Sequence, residues 1–127
     1  MLGPGAGVAA SPAAGQEHPA QVANVAPIST ETFEEMLTDS VEEKGGVETE
    51  QGDTLRVELH EEARVLFFTR PVHPAHPGIV AVEIVEKEGV LSIETSGWWA
   101  GDEQAFEIWF KAFERRNERL VREWQEE

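Results

Sequence analysis

Cysteine and tyrosine are both absent from this 127-residue chain. Without thiols there is no disulfide framework, no thiol nucleophile and no cysteine-ligated metal. Basic side chains are scarce, 10 against 25 acidic, for a formal charge of −15. A surface so short of positive charge cannot release counterions from a phosphate backbone and is repelled by anionic headgroups. Nucleic acid and lipid surfaces are therefore poor partners. No apolar run approaches the roughly 18 residues that a membrane span needs. Catalytic signatures are missing too. None of Ser11, Ser29, Ser40, Ser92 and Ser96 lies in a G-x-S-x-G turn, and no Walker, Rossmann or H-E-x-x-H spacing occurs. What is present suits one soluble acidic domain with a core of moderate size.

The charge is concentrated. Residues 29–62 carry 12 acidic and 2 basic side chains, two thirds of the whole excess. Such a block is expected to be a solvated face that keeps the chain monomeric or only weakly self-associating. Its rival roles are an anionic docking surface and a calcium site, but Glu48 to Asp53 lacks the ligand offsets of a calcium loop. Residues 1–28 are nearly all Ala, Gly, Pro, Val and Gln without periodicity, so they read as a disordered leader, with 29–127 as a single domain. Val8-Ala9-Ala10 resembles the small-residue cleavage site of a secretion signal, which favours export over the cytoplasm. The basic start and apolar centre of such a signal are missing.

Ser29 and Thr30 are good N-cap residues, and Glu31, Glu34 and Glu35 suit the positive end of a helix. Phe33, Met36, Leu37 and Val41 then form one apolar stripe, which ends at Gly45-Gly46. Alternation at Leu55, Val57 and Leu59 predicts a half-buried strand. Residues 64–69 are apolar on both faces and read as a central strand. Residues 79–86 and 90–95 form a hairpin about Lys87-Glu88-Gly89. A further short strand at 47–50 is compatible with the pattern. Asp102 caps a last helix, on which Phe106, Trp109, Phe110, Phe113, Leu120, Val121 and Trp124 share a sector about 120° wide. Arg115, Arg119 and Arg122 fall opposite that sector and read as a solvated face, or as a contact for an acidic surface. The expected fold is α+β: one antiparallel sheet of four strands, five if 47–50 also pairs, with an N-terminal and a C-terminal helix packed on it.

Pro71, Pro74 and Pro77 recur every three residues, the period of polyproline II, which would also align His73 and His76 about 9 Å apart. The segment reads as a stiff connector. Its rival roles are a PxxP ligand and a metal site using His73 and His76, although a zinc enzyme wants a third ligand. His60 is a poor third, because it belongs at the other end of the sheet. Glu83 sits within an apolar strand, where burial would raise its pKa. Strand directions bring Arg70, His73, His76, the loop holding Trp98 and Trp99, and Asp102 at a helix N-terminus to one rim. That rim is the candidate binding surface: Arg70 for an anionic group, the histidines for pH-sensitive hydrogen bonds, the tryptophans for contact area. The chain thus reads as a non-enzymatic binding or accessory domain for an unidentified small ligand or protein partner, with no cofactor. The alternative is a metal-dependent enzyme built on His73 and His76.

Overall fold

The structure, a computed structural model, describes residues 24–126. Six strands form one mixed sheet: β1 (Asn24–Pro27), β2 (Val47–Gln51), β3 (Thr54–Leu59), β4 (Arg64–Thr69), β5 (Gly78–Lys87) and β6 (Val90–Trp99). Their spatial order is β1-β6-β5-β4-β3-β2. Two helices complete the fold, α1 (Thr30–Thr38), which runs on through a π turn at Asp39–Glu43, and α2 (Glu103–Gln125). No helix of the described residues is long and apolar enough to cross a membrane.

The α+β class agrees with the sequence, and two details of the sheet correct it. The sheet is not wholly antiparallel, because β1 runs parallel to β6, with Ala26 opposite Trp98. Residues 24–27, placed in the leader by composition, therefore belong to the sheet, and the Ile28 N–H donates to the Trp99 carbonyl at 2.9 Å, while 1–23 lie outside the described residues. β1 escapes periodicity reading for a physical reason. All four of its residues are exposed, so backbone pairing rather than apolar burial holds it, and Pro27 is tolerated because the strand is an edge. The second correction concerns length: β6 continues to Trp99 instead of ending near Thr95, so the tryptophans are strand residues and not a loop.

The two helices take opposite faces. Ser29 caps α1 by accepting a hydrogen bond from the Thr32 N–H at 3.0 Å. The expected stripe then packs Phe33, Met36, Leu37 and Val41 on Val57, Leu59, Leu66, Phe68, Ile79 and Ala81. Alternate residues of the same central strands point the other way. Phe67 meets Phe113, and Val80 packs with Phe106 and Phe110 of α2. A central strand that is apolar on both faces is what this three-layer arrangement requires. The β5–β6 hairpin closes with Glu88 and Gly89 both at positive φ, the signature of a two-residue primed turn.

Within the α2 stripe the structure finds a polar residue. Asn117 lies at the centre of the apolar sector, is buried, and donates from Nδ2 to Thr95 Oγ1 at 2.9 Å. One satisfied polar pair inside an apolar interface ties the register of α2 to β6. Glu83, flagged as a polar residue in an apolar strand, is half-buried on β5 with Arg64 and Glu94 as its register neighbours.

Candidate functional site

The segment between β4 and β5 is not polyproline II. The His73 N–H donates to the Arg70 carbonyl at 2.8 Å, and the His76 N–H to the His73 carbonyl at 3.0 Å. These are two successive four-residue turns, with Pro71 and Pro74 each in the second position, where the fixed φ of proline suits a turn. The three-residue period of the prolines comes from that tandem. A third proline follows a cis peptide bond, His76–Pro77.

At the backbone level the rim forms as strand directions demand. The Ala100 N–H donates to the Pro77 carbonyl at 2.8 Å, and a Cβ at Gly101 would collide with the His76 carbonyl. The turn tandem, the end of β6 and the start of α2 therefore touch. Their side chains do not stay together, because the sheet divides them. Trp98 joins the α1-side core and Trp99 the α2-side core, stacked on Phe106 with centroids 5.5 Å apart. Neighbouring residues on a strand point to opposite faces, so two adjacent tryptophans there cannot make one platform.

The histidines separate in the same way. The His73 ring lies edge-on to Trp109 of α2, 4.7 Å between centroids, while the His76 ring meets Phe33 of α1 at 5.5 Å. A metal shared by the pair would need both rings to turn inward, away from these contacts. Among the described residues no three His, Cys, Asp or Glu side chains group as a metal-binding set. His60, at the opposite end of the sheet, pairs with Glu58 at 2.7 Å.

Arg70 and Asp102 are both occupied. The Arg70 guanidinium donates to the Gly52 carbonyl at 3.1 Å and lies 3.5 Å from the Glu50 carboxylate, so it braces the β2–β3 turn. Asp102 Oδ2 accepts from the Ala105 N–H at 2.7 Å, taking a donor that a bound anion would use. Anion recognition, expected from Arg70 and the α2 N-terminus, has little free charge to work with, and Asp102 competes for that helix end.

His73 also has a defined proton state. Its Nδ1 accepts from the Ala75 N–H at 2.9 Å, which requires that nitrogen to be unprotonated. Burial, the main cause, holds the imidazole below the usual histidine pKa; His76 adds to the lowering and Asp53 opposes it. The unfolded chain thus takes up this proton first as pH falls. Stability from this residue is complete above about pH 6.5, declines as pH drops below that value, and levels off below the depressed folded pKa. Urea unfolding between pH 8 and 5 should show a shallower pH dependence for His73→Phe than for the parent chain. Equal slopes would refute the assignment.

The α1 face of the corner holds a cavity of about 390 Å³. Its floor is apolar, from Phe33, Leu37, Leu55 and Phe68, and its wall is the turn segment, with Thr69, Pro71, His76 and Pro77. His76 is fixed there by Thr69: Nδ1 lies 2.8 Å from the Thr69 hydroxyl, which also accepts from the Gly78 N–H at 2.9 Å. Glu34, Glu48 and Glu50 stand around the opening with Arg70. Of the six residues expected at the rim, only Arg70 and His76 line this cavity. The sequence places these glutamates in the acidic 29–62 block without singling them out, because acidic residues abound there, yet a signal existed. Glu48 and Glu50 are two apart on a strand, so they share a face, and their register partners Val57 and Leu55 place that face towards α1.

No protein-family model, no curated protein and no solved structure matches this chain.

Proposed function

We propose that the chain is a small non-enzymatic binding domain whose ligand surface is the α1-side half of the corner, from Thr69 to Pro77. The observation carrying this reading is the cavity, at about 390 Å³ within the range of small-ligand sites, with an apolar floor and a few convergent polar groups. Tandem turns hold its wall rigid, so little ordering entropy is lost on binding. The metal-dependent alternative draws no support from His73 and His76, whose rings pack against different helices.

Titration of the isotope-labelled chain with two neutral probes, indole and cyclohexanol, tests this by NMR. Amide shifts should cluster at Phe33, Leu55, Phe68 and His76, and should vanish in Leu55→Trp, which fills the cavity from the sheet. Leu37→Trp fills it from the helix and provides an independent check. Shifts that cluster near Trp99 and Trp109, or that survive both substitutions, would overturn the proposal.

A further inference from the structure

The cavity opens beside a free sheet edge. Among the described residues β2 is the last strand in the order and pairs with β3 alone, and all five of its residues are exposed. An edge strand presents unpaired N–H and C=O groups on its outer side. Its two faces differ in chemistry. Glu48 and Glu50 point to the α1 face and rim the cavity, whereas Val47, 52% exposed, belongs to the opposite face. Across the opening, Glu34 of α1 adds a third carboxylate. Arg70, the one Lys or Arg lining the cavity among the described residues, is engaged by Glu50 and the Gly52 carbonyl. Among the described residues the charges of Glu34 and Glu48 are left without a cationic partner beside an apolar floor.

We propose that an extended segment of a partner protein, bearing arginines at alternate positions, adds to the β2 edge as a seventh strand. This rests on the binding role proposed above and names its partner. Side chains two apart on the added strand would stand opposite Glu48 and Glu50, at cross-strand pairing distance. Their methylene stems cross β2 beside Glu48 and Glu50, and the guanidinium heads meet Glu34, Glu48 and Glu50 at the mouth of the cavity. Intervening residues face Val47 and are β-branched or apolar. Backbone pairing contributes affinity and the alternate arginines contribute specificity, as in other strand-addition complexes.

The test uses the full chain and an acetylated, amidated peptide, Thr-Arg-Val-Arg-Thr, with a fluorescent label. A matched peptide carries citrulline for arginine, removing charge with little change of shape. The arginine peptide should bind, with amide shifts centred on Glu48–Gln51, and the citrulline peptide should bind far more weakly. The double variant Glu48→Gln, Glu50→Gln should weaken binding by about tenfold, the scale of two rim ion pairs. Because the whole chain is acidic, a control removes two exposed charges elsewhere: Glu107→Gln, Glu123→Gln on α2 should leave affinity within about twofold. Equal loss in both double variants would mean diffuse attraction and would overturn the proposal. So would equal binding of the two peptides, or shifts away from β2. If indole and cyclohexanol occupy the cavity while the arginine peptide does not bind, the binding role stands and this partner is wrong.

Discussion

Replacing Phe68 by alanine is expected to lower the unfolding free energy by about 3–5 kcal/mol, the usual range for deleting a buried aromatic ring. Phe68 is 0% exposed at the centre of the α1-side core. Its ring meets Phe33 edge-to-face with centroids 5.8 Å apart, so its removal also loosens the one buried residue of α1. Leu66, Ile79 and Val57 surround the site on three strands that backbone pairing holds in register, and they cannot move in to fill the void. Against a typical total of about 5–15 kcal/mol for a domain, such a loss removes a large share of stability. Urea unfolding at fixed pH measures it, and Phe68→Leu should lose less because more volume remains. A loss below about 1 kcal/mol for alanine would mean that α1 is not packed on the sheet as described.

The second large effect is at Gly97, where two physical tendencies give opposite signs. Valine is favoured over glycine in a strand by up to about 1 kcal/mol, so local propensity predicts that Gly97→Val stabilises β6. Packing predicts the reverse. A Cβ on Gly97 would intrude on the Phe106 ring and lie 3.0 Å from two ring atoms of Phe110. Those rings are themselves stacked, 5.7 Å between centroids, and both are buried between α2 and the sheet. Overpacking of this kind costs about 1–3 kcal/mol or more, so it outweighs propensity. Gly97→Val is expected to destabilise by about 2–3 kcal/mol. Combining it with Phe106→Leu should recover part of that loss, a coupling that a double-mutant cycle reads directly. A stabilised Gly97→Val chain would show that α2 does not approach β6 closely.

The same contrast marks what could be read in advance. The stripes of α1 and α2, the strand at 64–69 apolar on both faces, and the Glu88-Gly89 turn are visible because each is a local pattern with its own period. Strand directions also predicted correctly that the turn segment meets the end of β6. Side-chain placement at that meeting was less accessible. Trp98 and Trp99 look like a pair when they are assigned to a loop, and become opposite-facing once β6 extends to include them. The prolines at 71, 74 and 77 fit polyproline II and tandem turns equally well by spacing, and the hydrogen bonds of the His73 and His76 amides decide for turns.

Local periodicity by itself determined the helices, most of the strands and the α+β class, because each depends on neighbours within one turn or one pleat, and composition alone determined the acidic character of residues 29–62. Only the tertiary structure decided that β1 joins the sheet in parallel, that the helices cover opposite faces, and that Glu34, Glu48 and Glu50 surround one cavity. Those outcomes depend on register between distant segments. A one-residue change of register moves every side chain of a strand to the other face, and no pattern within a single segment carries that information.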